Sequence, residues 1–317
     1  MPVKDDAVEY NIIDITNCDQ DLYEQLGTKA KFWFYSGNEK QLFKSIVTED
    51  KDGNEHCRCG EDWSEKISYE IAHFLNIPTA RYELTVNDEE VGVVSYYMVP
   101  DKCELIHGNQ LLLEIGSISD DNKVRIDRKT HTINNVHQVL GSIGCRKPIG
   151  HNSFEGVKSP FDFFVGYLML DVLVGNQDRH EENWAVVRTE EGNYHLAPSF
   201  DHAASMGRNE SDENRRSRLG SEDVGQQICT YVRRAKSQFF GKNGKRLKTI
   251  EAFECVLNVS PVAAGSWLEK LKNLTDSVIE ELVRQVPSSR MSPTAKEFTI
   301  EFLKCNRNRL LELKEDL

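Results

Sequence analysis

The chain has 317 residues, 39% of them hydrophobic and 28% charged. That profile belongs to an ordinary folded protein, long enough to bury a large core as one two-lobed unit or as two domains. Its formal net charge of -12 repels phosphate backbones and anionic lipid, which argues against general nucleic-acid binding and against stable membrane association.

The chain opens MPVKDDAVEY, with no basic start and no apolar run, so no secretory leader is expected and the predicted location is cytoplasmic. Residues 30–35 are aromatic-rich and predict a strand. Ser36, Gly37 and Asn38 predict a turn, and residues 41–47 a second strand. Strand side chains alternate, so Leu42, Lys44 and Ile46 share one face. A lysine on that apolar face needs a partner, because a buried unpaired ammonium is costly. Residues 50–61 read as a polar loop. Ile67, Ile71, Phe74 and Leu75 recur at helical spacing through SEKISYEIAHFL. Asp62 or Ser64 is the expected cap, and Asn76 and Pro78 the stop. Glu65 falls in the first turn, where a carboxylate suits the helix dipole. Residues 80–86 and 91–98 predict a hairpin around Asn87-Asp88-Glu89-Glu90.

The character changes after Pro100. Residues 161–174 are apolar nearly all round, as in a helix buried in a core. They are too few to cross a bilayer and are interrupted by Asp162 and Asp171. Residues 183–187 and 194–196 predict short strands about a turn. Residues 208–223 are polar, with little to bury, and predict a mobile loop. Residues 233–248 carry seven basic and no acidic side chains. A solvated face is the simpler account of them; docking an anionic partner is the other. From Ser260 the chain predicts helices, one carrying Val278, Leu282 and Val283 and another carrying Phe298, Phe302 and Leu303. The eight cysteines are scattered without a Cys-x-x-Cys pair and predict free thiols. His56, Cys57 and Cys59 lie close together, but a zinc site needs a second ligand pair.

The string Gly175-Asn176-Gln177-Asp178-Arg179-His180-Glu181-Glu182-Asn183 follows the buried helix directly. Asp178 and Asn183 stand at the interval of the catalytic Asp and metal-binding Asn of a protein-kinase loop. A carboxylate beside an attacking hydroxyl orients it and takes its proton; an amide oxygen holds magnesium without adding charge. The short hairpin then returns Asp201, in Pro198-Ser199-Phe200-Asp201, toward Asn183. Lys44 and Glu65 fit a lysine on phosphates held by a helix glutamate, with Glu70 the rival partner. Gly27 and Thr28 would begin a phosphate-covering loop, although no Gly-x-Gly-x-x-Gly is present.

Each residue also has a structural reading. Asp178 and Asn183 can be turn formers, and Arg179 can merely pair with a carboxylate. His180 can tie the loop together instead of moving protons, Asp201 can cap a helix, and Lys44 with Glu65 can be a surface pair of little weight. A metal-dependent hydrolase using Asp178, His180, Asp201 and His202 is a rival chemistry, but it leaves Lys44 and Glu65 without a role. A non-catalytic binding module is disfavoured because every charged catalytic position is filled.

GNQDRHEENWAV followed by PSFDHAASMG resembles the HipA-like kinases and, more distantly, the phosphoinositide lipid kinases, which share a D-R-H-x-x-N loop. Leu42-Phe43-Lys44 is similar to the family's ATP-lysine strand, and SEKISYEIAHFLNIP to its glutamate helix. The resemblance spans residues 26–310. It implies an α+β, two-lobed protein-kinase-like fold: an N-lobe over residues 1–100 with an antiparallel sheet and one helix, and a mainly helical C-lobe over 101–317. It implies ATP, magnesium and transfer to a protein serine or threonine, with a lipid acceptor as the alternative. Asp178 becomes the catalytic base, with His180 beside it. Asn183 and Asp201 become metal ligands, and Lys44, Glu65, Gly27 and Thr28 serve the phosphates. Tyr97, Met98 and Val99 lie in the connector that meets adenine. The family also implies silencing by phosphorylation in the phosphate-covering loop, at Ser36 or Thr28, and leaves room for an antitoxin or regulatory partner. HipA toxins commonly carry a further N-terminal domain; here the core begins almost at once, so no antitoxin bound through that domain is expected.

Overall fold

The computed structural model describes residues 8–23, 29–49, 54–120 and 123–315. Gly27, Thr28 and residues 50–53 lie outside the described residues. Five strands, β1 (Ile12–Asp14), β2 (Gln20–Tyr23), β3 (Lys29–Ser36), β4 (Glu39–Glu49) and β5 (Glu55–Cys57), precede helix α1 (Glu61–Phe74). β6 (Tyr82–Asn87) and β7 (Glu90–Tyr96) follow it. All seven strands form one sheet in the order β1-β6-β7-β4-β3-β2, with β5 paired to β4. The sheet is antiparallel except where β1 runs parallel to β6.

The alternation within β3 and β4 divides the sheet into two faces. Phe32, Phe34 and Phe43 pack with Ile15 and Val94, and Lys44 pairs across to Val93 on β7. Gly37, at φ +61, makes the β3–β4 turn. Two expectations need correction here. The loop over 50–61 contains β5, too short to show a period. α1 begins at Glu61 with Gly60 as its cap and no side-chain cap. Neither Asp62 nor Ser64 is free to cap: the Asp62 carboxylate meets Arg290 at 3.5 Å, and Ser64 Oγ donates to Ser205 O at 3.4 Å.

Beyond the connector come β8 (Glu104–His107), α2 (Gly108–Leu112), β9 (Ser117–Asp120), β10 (Lys123–Ile126), α3 (Ile133–Ser142) and α4 (Pro160–Val174). β11 (Ala185–Arg188) and β12 (Tyr194–Leu196) form a small sheet with β8. Then follow α5 (Asp212–Leu219), α6 (Ile228–Tyr231), the hairpin β13 (Lys236–Phe240) and β14 (Arg246–Lys248), α7 (Thr249–Val259), α8 (Pro261–Leu271), α9 (Asp276–Arg284) and α10 (Pro293–Glu315). α4 is the axis of this helical part, packed by α7, α8 and α10. Its ends are set locally, by a Ser159–Asp162 capping box, Pro160 in the first turn and Gly175 in the left-handed conformation after Val174. Each large apolar side chain that it buries contributes about 1.5–3 kcal/mol, so the loop beginning at Asn176 hangs from a firmly held element.

Within residues 208–223, expected as a mobile loop, Asp212–Leu219 instead form helix α5. Ser211 caps α5 by accepting from Asn214 N. Arg215, 8% exposed, pairs with Asp212 at 2.9 Å and donates to Arg208 O at 3.0 Å. The one side chain α5 buries is charged, so the helix shows no apolar period.

The free-thiol expectation is corrected for four cysteines: disulfides join Cys57 to Cys59 and Cys229 to Cys305, while Cys18, Cys103, Cys145 and Cys255 are free. The second bond closes a sequence separation of 76 and fastens α6 to α10, a pairing that spacing cannot reveal. The double variant Cys229→Ser, Cys305→Ser is expected to lose about 2–4 kcal/mol of stability, read as a lower guanidinium midpoint; an unchanged midpoint would show that the bond carries no load. Among the described residues, no helix is long and apolar enough to cross a membrane.

Candidate active site

Lys44 projects from β4 between two carboxylates. Its Nζ lies 3.6 Å from Glu65 Oε1 on α1 and 3.8 Å from Asp201 Oδ1. The β4 register decides this, because Lys44 stands on the face opposite the Phe32–Phe43 cluster, beside the Tyr82 ring at 5.5 Å. Burial alone would push the Lys44 ammonium down; the neighbouring Tyr82, Asp201 and Glu65 outweigh it, and the net direction is up. The lysine is therefore held charged.

Glu65 is 1% exposed. Its second oxygen accepts from the backbone N–H of His202 at 2.8 Å, so α1 grips the segment that carries Asp201. Glu70, the rival, is engaged elsewhere: Lys66 holds it at 2.6 Å together with Glu83. Asp201 adopts a left-handed φ of 59°, uncommon for a residue with a Cβ. Its backbone N–H donates to Tyr82 Oη at 3.0 Å, which holds that conformation.

The loop after α4 is closed by its own polar groups. Asn176 Nδ2 donates to Asp171 at 2.9 Å, Asp178 N donates to Asn176 Oδ1 at 3.0 Å, and Asn183 Nδ2 donates to Asp178 O at 2.7 Å. His180 Nδ1 accepts from Glu182 N at 3.1 Å, a tie within the loop. Asp178 is half-buried and Asn183 is buried.

Arg179 is the hub of the site. It is 1% exposed and makes a two-pronged pair with Asp171 at 2.8 and 2.9 Å. It also donates to Asn183 O at 2.8 Å, Phe200 O at 3.2 Å and Ser199 Oγ at 2.8 Å. One guanidinium thus bridges the strand that leaves Asn183 and the strand that returns to Asp201. Burial opposes its charge; Asp171 foremost, with Tyr167 and Asp201, more than offsets this. A carboxylate partner for Arg179 is legible in the sequence, but neither this bridge nor the part played by Tyr82 is. Asp171, an acid inside an apolar helix, was the available signal.

The connector residues divide. Tyr97 lies edge-on to Trp33 at 5.4 Å, and its N–H donates to Lys40 O. Val99 packs with Ala185, Val187 and Ala197. Met98 touches that cluster and also the cluster of Ala80, Tyr82 and Val93, which makes an apolar seam between the two parts of the fold.

Asn183 and Asp201 are the residues here that could hold a magnesium ion. Asn183 commits its amide nitrogen to Asp178 O, which leaves its oxygen for a cation, and Asp201 offers a partly exposed carboxylate. An oxygen pair of this kind, completed by phosphate and water, is the usual magnesium set. The rival hydrolase centre does not form. His202 is fully buried, with Nε2 turned to Ser199 Oγ and Arg179 and Nδ1 facing Glu65. Among the described residues, no three His, Cys, Asp or Glu side chains cluster to hold a metal.

No protein-family model matches the chain, and no curated protein matches it in sequence. Its structure is similar to that of the Helicobacter pylori proinflammatory kinase CtkA, with a TM-score of 0.71 and 18% identity over 96% of this chain and 98% of that one. It is also similar to HipA of Shewanella oneidensis MR-1, solved with HipB and its operator DNA, with a TM-score of 0.54 and 13% identity over 100% of this chain and 70% of that one. Likeness at such low identity is a likeness of fold.

Proposed function

From its HipA-like kinase fold, we propose that the protein is an ATP- and magnesium-dependent kinase that phosphorylates a serine or threonine hydroxyl of a protein. The observation that carries this reading is Lys44 Nζ standing 3.6 Å from Glu65 and 3.8 Å from Asp201, where strand, helix and the returned hairpin meet. Lys44 contacts the ATP phosphates, and Glu65 holds it there. Asn183 and Asp201 hold magnesium, which neutralises phosphate charge. Met98 and Val99 supply the apolar seam for the adenine.

The acceptor oxygen forms a bond to the γ-phosphorus as the bond from that phosphorus to the β,γ-bridging oxygen breaks. ADP leaves, and the hydroxyl proton passes to Asp178. His180 keeps the Asp178 loop in register through Glu182 N. The Shewanella HipA was solved with HipB, and a regulatory protein partner belongs to the same proposal.

Labelled ATP and magnesium, incubated with protein and lipid acceptors, test this reading; label in lipid alone, or none in any acceptor, would overturn it. Lys44→Met is expected to weaken ATP binding by about 10–100-fold, the loss of a charge-assisted bond of roughly 1.5–3 kcal/mol. A titration calorimetry curve that matches the parent protein would remove Lys44 from the phosphates.

A further inference from the structure

Gln177 stands immediately before Asp178, and β13 is fastened to it. Lys236 N donates to Gln177 Oε1 at 3.3 Å, and Gln238 Nε2 donates to Gln177 O at 2.8 Å. Along β13 exposure alternates, with Lys236 exposed, Ser237 buried, Gln238 partly buried and Phe239 buried. Lys236 therefore shares the face of Gln238, the face that meets the loop of the proposed base.

A cavity of about 150 Å³ opens beside the same loop, between Gln177 and Gly207, and Arg234 lies on its edge with Tyr231 and Ala235. It has room for a carboxylate side chain and accompanying water. Arg234 spends one nitrogen on Gly225 O at 3.1 Å; its remaining N–H groups and the Lys236 ammonium have no carboxylate partner among the described residues. Four other arginines are already matched. Arg208 pairs with Glu61, Arg215 with Asp212, Arg218 with Glu210, and Arg290 with Asp62. In a chain of net charge -12, unneutralised positive charge next to the proposed base is a local exception that invites an anion.

We propose that Arg234 and Lys236 read an acidic residue close to the accepted serine or threonine, so that the substrate is an acidic protein segment. This rests on the kinase reading above. The overall negative charge disfavours nucleic acid and anionic membrane as the occupant, since both are extended polyanions that would meet the whole surface.

The test compares three synthetic serine peptides that differ only in their flanks, acidic, neutral or basic, against the parent protein and the double variant Arg234→Glu, Lys236→Glu. Both side chains are exposed, and a melting curve checks that the variant folds. The parent is expected to favour the acidic peptide over the basic one by tenfold or more in kcat/KM. The variant should lose that preference while its KM for ATP stays within twofold. Peptide affinity by fluorescence anisotropy should follow the same order without turnover. Equal use of all three peptides, or preference for the basic one, overturns the proposal. Duplex DNA or phosphatidylserine vesicles binding as tightly as the acidic peptide, and displacing it, would reassign the surface to a polyanion. Nucleotide binding with no transfer to any peptide or protein would sink the kinase reading itself, a result distinct from loss of flank preference.

Discussion

Asp178→Asn is expected to lower phosphoryl transfer by about 10²–10⁴-fold, the range for removing a general base, while ATP affinity stays within about twofold, too small a change to mark a lost contact. The loop around Asp178 is held through its main chain. Its N–H donates to Asn176 Oδ1 and its carbonyl accepts from Asn183 Nδ2. An amide in place of the carboxylate leaves both main-chain bonds in place, so the path of the loop survives while the proton acceptor goes. Rapid-quench transfer assays beside nucleotide titration separate the two quantities. Transfer at the parent rate would strip Asp178 of its role, and loss of ATP binding together with transfer would mean that the loop had collapsed.

The second large effect is expected at Arg179. Arg179→Met removes one partner of a buried ion pair and leaves Asp171 charged in the core, which costs about 3–5 kcal/mol. The urea midpoint should fall with little change in slope, because the denatured chain exposes the same surface. Adding Asp171→Leu removes the stranded charge, so the double variant should recover much of that loss. It should not recover transfer, because the bridge between Asn183 O and Phe200 O is still missing. A single variant that loses under about 1 kcal/mol, an ordinary surface-mutation effect, or a double variant with parental transfer would show that the guanidinium does not tie the site together.

The two effects divide the residues around the cleft. Asp178 touches the reacting hydroxyl in the proposed chemistry, whereas Arg179 is too buried to reach a substrate and acts by position. Adjacent residues therefore fail differently, one in rate at constant stability and the other in stability first.

What local rules write into a sequence, this sequence states openly. The alternation of β3 and β4, the period of α1 and the nearly all-round apolar run of α4 are each fixed within a few residues, because burial on one face demands period 2 or 3.6 and burial all round demands neither. Those patterns, with the interval from Asp178 to Asn183, made the α+β fold and the candidate loop legible. Short or polar elements were not: β5 and α5 bury too little apolar surface to show a period, and Gly60 starts α1 without a side chain to announce it.

The meeting of Lys44, Glu65 and Asp201, the support of Asp201 by Tyr82, the bridge by Arg179 and the bond between Cys229 and Cys305 belong to the tertiary structure. Their partners are distant along the chain, and no local propensity encodes them. They arise when the sheet and helices pack, and a buried charge then takes whichever opposite charge or donor packing has brought within reach, since leaving it unpaired costs more than any local preference returns.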